Sequence, residues 1–320
     1  MTFKTIIAVA AATALALFPA AAKDMTYKVV SPDGHLSATV TVGQSVSYSV
    51  SRDGVNLIDA SQISMTLADG IVFGENDKVR KVKKTSVDQT LSTVAYKKAQ
   101  VRDNYNEITL IFKEFSLAFR AYDEGVAYRF TSSLKNDSKV LAEKAQFNFA
   151  KDWDAYVPYV NQHIETLESQ YWNSFENTYS IHALSRWNKK RLAFLPVAVS
   201  AEGGMKVLVT ESDLVNYPGM YLYNEGDATT LTGRFAPYPK TVEQGGHNML
   251  QGVVKDREDF IASCTAGESF PWRIIMVSTN DAELAVNDMV WKLGEPADPS
   301  VDYSWVKPGK VAWDWWNDWN

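Results

Sequence analysis

The chain has 320 residues, 46% hydrophobic and 22% charged, an ordinary globular balance for one large domain or two smaller ones. Its formal net charge of −6 comes with no Lys/Arg block or basic stripe, which argues against a nucleic-acid partner. A single cysteine, Cys264, excludes an intrachain disulfide, so the core must hold the fold; a lone thiol with apolar flanks reads as a small buried side chain.

The first residues read as a targeting segment. Lys4 supplies a positive start, Ile6 to Phe18 an apolar run, and Ala20-Ala21-Ala22 a small-residue cleavage site. The run is shorter than the ~20 apolar residues of a membrane span. No cysteine stands at the cleavage site to take a lipid. Residues 1–22 are therefore expected to be a removed signal peptide, and the mature protein exported, periplasmic and without a membrane anchor.

From Thr26 to about Ser278 the pattern has mainly period two. Leu36, Ala38, Val40 and Val42 alternate with Ser37, Thr39 and Thr41, and Val46, Tyr48 and Val50 alternate with serines before an Asp53-Gly54 turn. Phe115, Leu117, Phe119 and Ala121 share a face, Asp123-Glu124-Gly125 turns the chain, and Val126, Tyr128 and Phe130 return. A further hairpin is predicted from Leu192–Val199 through Glu202-Gly203-Gly204 to Val207–Val209. Alternation of this kind buries one face of an antiparallel strand. Many such strands point to a large two-sheet sandwich.

At Asn280 the period changes. Val286, Met289, Val290 and Leu293 follow helical spacing, Asn280 can cap with Glu283 three residues on, and Gly294 stops the helix before Pro296. One amphipathic helix is predicted here, then a Pro/Asp linker. The organisation expected is a sandwich over 23–280, a helix and linker over 281–305, and a new domain starting at 306. The last sixteen residues hold five of the ten tryptophans among aspartates and asparagines, the chemistry that stacks and hydrogen-bonds a sugar. Lys310 to Trp315 reads as one extended strand, and an exported protein seldom ends on an unpaired apolar strand. The chain is therefore expected to be part of a longer protein.

The run Lys307-Pro308-Gly309-Lys310-Val311-Ala312-Trp313-Asp314-Trp315-Trp316 resembles a signature of glycoside hydrolase family 97. The resemblance extends to Thr210-Glu211-Ser212-Asp213-Leu214, Tyr217-Pro218-Gly219-Met220-Tyr221-Leu222, Phe270-Pro271-Trp272-Arg273-Ile274-Ile275 and Asn287-Asp288-Met289-Val290, in order along the chain. It implies an antiparallel, galactose-mutarotase-like β-super-sandwich, a linking helix and then a (β/α)8 catalytic barrel. Lys310–Trp315 would be the first strand of that barrel, which needs about 250 residues in all, so 306–320 would be only its beginning.

The resemblance also implies site residues. Trp313, with Trp315 on the same strand face, would form an aromatic wall of the sugar pocket. Between Glu165 and Tyr179 acidic and aromatic residues interleave, and one glutamate there would help hold an active-site Ca2+ with barrel glutamates. The segment Phe175-Glu176-Asn177-Thr178-Tyr179 fits that place best, so Glu176 is the expected ligand and Glu168 its rival. His35, His163, His182 and His247 show no metal-ligand spacing, and His182 is expected to pack. Asp213 is expected to fix its loop by capping.

The resulting expectation is the N-terminal part of a calcium-dependent, exo-acting α-glycoside hydrolase, with the catalytic acid and base in the barrel. An α-glucosidase on α-linked oligosaccharides is favoured; a retaining α-galactosidase of the same family and a stand-alone carbohydrate-binding sandwich are the alternatives. The oligomeric state is left open.

Overall fold

The computed structural model describes residues 24–226, 228–307 and 309–312. The expected signal peptide, Trp313 and Trp315 lie outside these residues.

The first ten strands are β1 (Met25–Val30), β2 (Leu36–Val42), β3 (Val46–Arg52), β4 (Val55–Leu67), β5 (Val72–Phe73), β6 (Lys81–Ser92), β7 (Gln100–Ile111), β8 (Phe115–Tyr122), β9 (Gly125–Ser132) and β10 (Ser138–Phe149). They are followed by β11 (Asp154–Val157), β12 (Ser180–Ala183), β13 (Val197–Ser200), β14 (Lys206–Ser212), β15 (Met220–Tyr223), β16 (Thr230–Phe235), β17 (Pro239–Gly245), β18 (Gln251–Arg257), β19 (Ala262–Cys264) and β20 (Trp272–Ser278). One sheet runs β1-β2-β3-β4-β10-β16-β15, with β5 on β4 and β19 on β10. The other runs β12-β11-β13-β14-β20-β9-β8-β7-β6, and β17-β18 form a separate hairpin. The strand pairs are antiparallel, as alternation requires.

The predicted faces meet in the core. Tyr48 of the first sheet lies 5.7 Å from Phe119 and 5.3 Å from Tyr128 of the second, ring centre to ring centre. Phe119 pairs with Tyr128 and Ala121 with Val126 across the predicted turn at Asp123-Glu124. Burying each such aromatic contributes roughly 1.5–3 kcal/mol. Asp53 and Gly54 both take positive φ (50° and 80°), the geometry of a two-residue hairpin turn that matches strand twist. Cys264 is buried, and burial pushes its thiol pKa up.

β20 is buried along its whole length. Ile275 and Val277 belong to the inter-sheet core, while Trp272, Ile274 and Met276 pack outward on Met289 and Leu293. The helical segment therefore exists to cover the outer face of the sheet. It is not one helix, however: α1 (Asp281–Ala285) and α2 (Met289–Leu293) are separated at Val286-Asn287-Asp288. The loop joining β6 to β7 explains the break. Lys98 Nζ donates to the Val286 carbonyl (3.1 Å), Lys97 Nζ to that of Asn287 (3.1 Å), and Tyr96 OH to Asp288 (2.9 Å), with Lys98 also paired to Asp288. Carbonyls engaged from outside, and an Asp288 turned to cations, replace one turn of helix. Val286 and Val290 consequently stay exposed, and only Met289 and Leu293 of the predicted stripe are buried. The cap is as predicted: Asn280 accepts from Glu283 N (3.0 Å) and donates back to Glu283 (2.9 Å). Gly125 admits this packing, because a Cβ there would lie 2.7 Å from the Ile275 carbonyl and against Met289.

One further expectation is revised, and another lies partly outside the described residues. The strand predicted from Leu192 begins only at Val197; Ala193 instead bridges Tyr159 and Leu222. Lys310–Ala312, the described part of the expected barrel strand, is not in a strand.

Candidate functional site

A cleft of about 750 Å³ opens beside the loop that follows β11. Phe175 and Phe194 meet edge to face at 5.4 Å, and Phe175 stacks on Tyr221 at 6.2 Å. Tyr217, Pro218 and Gly219 line it next, with Pro237 to Pro239 and Ile261 beyond. Glu211, Asn216, Arg257 and Glu268 supply its charged and polar groups. An apolar, aromatic concavity with a few polar groups is the usual form of a small-molecule site.

Beneath this cleft lies a buried ionic network. Arg273 Nε and Nη2 donate to the two oxygens of Glu143 (2.8 and 2.6 Å), and Nη1 to Glu211 (2.5 Å). Tyr217 OH donates to Glu143 (2.7 Å), and Glu211 accepts from the Met220 amide (3.0 Å). These bonds fix the Tyr217–Met220 turn. Burial alone would lower the Arg273 pKa, but Glu143 and Glu211 hold it above its ordinary value. One cation faces two carboxylates, so a negative charge is left over. Burial pushes the Glu211 pKa up despite Arg273, and the nearby Glu143 charge adds to the rise. Arg273 and Glu211 stand within two of the family-like motifs, which by themselves assign them no role. The available signal was a cation inside the run Trp272–Val277, since a charge in a fully apolar strand must be paired.

Glu176, the expected calcium ligand, stands exposed next to Phe175 and makes no hydrogen bond or ion pair among the described residues. Its rival Glu168 is exposed but engaged by Arg257 Nε at 3.1 Å. Among the described residues no three His, Cys, Asp or Glu side chains converge to hold a metal. Ca2+ takes six to eight oxygens. An uncommitted, solvent-facing carboxylate next to Phe175, which lines the cleft, fits a contribution of one ligand to a shared site. Trp313 and Trp315 lie outside the described residues.

The loop bearing Glu176 is pinned from below. Gln170 is buried, donates to the Thr166 and Lys190 carbonyls (3.1 and 2.8 Å) and accepts from Leu192 N (2.8 Å). Asn173 donates to Tyr221 OH (3.1 Å) and Asn177 to the Tyr159 carbonyl (2.6 Å). His182 packs, as expected, stacking on Tyr159 and bonding its hydroxyl at 2.9 Å. Asp213 departs from its expected capping role: its carboxylate pairs with Arg129 (3.0 Å) and accepts from the amide of Glu295 (3.3 Å), tying the linker to the sheet.

Comparison with known proteins gives a consistent result. Residues 29–296 match the family described as Glycosyl-hydrolase 97 N-terminal. The chain is 46% identical over 296 residues to a retaining alpha-galactosidase of Bacteroides thetaiotaomicron, covering 92% of this chain and 45% of that protein. It is 23% identical over 322 residues to a probable retaining alpha-galactosidase of Streptomyces bingchenggensis, covering 96% and 44%. A glycoside hydrolase family 97 enzyme from Pseudoalteromonas sp. strain K8, solved with acarbose, superposes with a TM-score of 0.70 at 22% identity, over 88% of this chain and 40% of that one. That last likeness is one of fold. The chain thus spans less than half the length of the relatives it matches.

Proposed function

Because the chain belongs to glycoside hydrolase family 97, we propose that it is the N-terminal part of an exported, calcium-dependent enzyme that removes α-linked galactose with retention of configuration. The carrying observation is the 46% identity to a protein named as a retaining alpha-galactosidase. The α-glucosidase favoured by the sequence alone has weaker support, since the relatives solved with acarbose and panose are 22% identical. In this reading the division into sandwich (23–280), linker (281–305) and barrel (from 306) stands, and the catalytic carboxylate pair lies in the barrel.

The described residues contribute the aromatic cleft and one carboxylate. Glu176 would supply one oxygen to the calcium, and a bound calcium polarises and anchors sugar oxygens. Phe175 and Tyr221 offer an aromatic face beside it, and the Arg273 network keeps the Tyr217–Met220 wall from shifting. Trp313 and Trp315 complete the pocket from the barrel side in this proposal.

The test is to assay the complete gene product on p-nitrophenyl α-galactoside and α-glucoside, following the first-formed sugar by proton NMR. Faster turnover of the galactoside, with the α-anomer appearing first, is expected. Preference for the glucoside, or first release of the β-anomer, would overturn the assignment. A reading frame that stops after Asn320 would instead favour the carbohydrate-binding sandwich.

A further inference from the structure

A second concavity, of about 430 Å³, lies on the far side of Arg257 from the aromatic cleft, and Arg257 lines both. Its wall is Trp172, which is 50% exposed although indoles of this size are usually covered. His163 stacks on Trp172 at 4.6 Å with the rings only 5° from parallel. His163 holds this place through a positive φ of 51°, and its carbonyl accepts from Ser169 Oγ at 2.5 Å. The same Gln170 and Asn173 bonds that pin the Glu176 loop flank Trp172 directly in sequence. The indole is therefore a fixed platform, supported by His163 and presented to solvent.

Around it stand groups that recognise hydroxyls. Glu168 and Arg257 form an ion pair at 3.1 Å, with 60% of the Glu168 side chain exposed, and Asp256 and Lys255 of β18 line the same concavity. A fixed aromatic face beside a carboxylate–guanidinium pair matches a pyranose, which offers C–H bonds to the ring and vicinal hydroxyls to the pair. The volume falls within the ~300–1,000 Å³ of ligand pockets.

We propose that Trp172, with the Glu168–Arg257 pair, is an additional carbohydrate subsite that takes a sugar residue of the substrate away from the bond being cleaved. This rests on the glycosidase reading above. In this proposal one oligosaccharide reaches both the aromatic cleft and the Trp172 platform, which share Arg257 in their linings. Glu168 then acts in hydroxyl recognition, leaving Glu176 as the carboxylate offered to calcium.

The complete gene product and its Trp172→Ala and Glu168→Gln variants would be compared on a galactosyl-sucrose trisaccharide and on p-nitrophenyl α-galactoside, with thermal melting of each. The ratio of kcat/KM for the trisaccharide to that for the aryl galactoside should fall about tenfold in Trp172→Ala, chiefly through KM, and severalfold in Glu168→Gln. An unchanged ratio overturns the subsite. So does an unchanged ratio with a lowered melting temperature, which would make Trp172 a contact with the following domain. If the wild type turns over neither substrate, the glycosidase reading fails first. Direct titration with the trisaccharide, followed by the indole N–H signals in NMR, then decides the subsite: a perturbed signal absent from Trp172→Ala supports it, and unmoved signals remove it.

Discussion

Two sets of carboxylates, one under the aromatic cleft and one on the exposed loop after β11, are treated in opposite ways. Glu143 is buried beneath the cleft and Glu211 lines it, both pulled onto Arg273, with 3% and 13% of their side chains exposed. Glu168 and Glu176 stand in solvent on the loop beside it, one in a single exposed ion pair and the other with no protein partner among the described residues. The buried set is committed to holding the wall, because a charge removed from water needs its counter-charge at all times. The exposed set keeps lone pairs open to solvent. Identical chemical groups thus divide into held and open according to what surrounds them, and in the proposed reading the open ones are the ligands.

The largest test of that division is Arg273→Met. It strands two buried carboxylates and should cost ~3–5 kcal/mol in urea denaturation. A loss below about 1 kcal/mol would show the network to be dispensable and erase the contrast. On the exposed side, Glu176→Gln in the complete enzyme should weaken calcium about tenfold, ~1.4 kcal/mol, while the urea midpoint stays put. An unchanged calcium titration would move the role to Glu168.

A third experiment probes the left-over charge. The folded pKa of Glu211 is raised above its ordinary 4.5. Its contribution to stability is therefore present in full below that value and lost as pH rises through the folded value. Compared with Glu211→Gln, the wild type should lose ground as the pH rises from 4.5 through the raised folded value; a constant difference would mean that Arg273 satisfies both carboxylates. Smaller again is Asn280→Ala, which removes the α1 cap and should cost ~1 kcal/mol, measurable by thermal melting. The smallest effect belongs to the exposed pair His35–Asp53 (2.5 Å), where the hydrogen bond and charge of Asp53 raise the His35 pKa above 6.5. Its stabilisation is present below pH 6.5 and lost as pH rises through the folded value, so His35→Asn should melt closest to wild type in alkaline buffer.

The hairpins were legible because period-two alternation states both the strand and its buried face. Leu117, Phe119, Val126 and Tyr128 could be placed facing the core before any partner was known. The split of the linking helix was not legible, because its cause is Tyr96, Lys97 and Lys98, about 190 residues away. Asp213 misled for a similar reason: a local turn residue was paired with Arg129, 84 positions distant.

By itself the sequence determined the sandwich, its inward faces, the capped start of the linker and the glycoside hydrolase family, since all of these rest on local spacing or on ordered motifs. Only the tertiary structure decided which acidic groups are held and which are open. Arg273 and Glu143 are 130 residues apart, and Arg257 and Glu168 meet from a strand and a separate loop. Charge pairing acts through space over a few ångströms, so no local pattern records it.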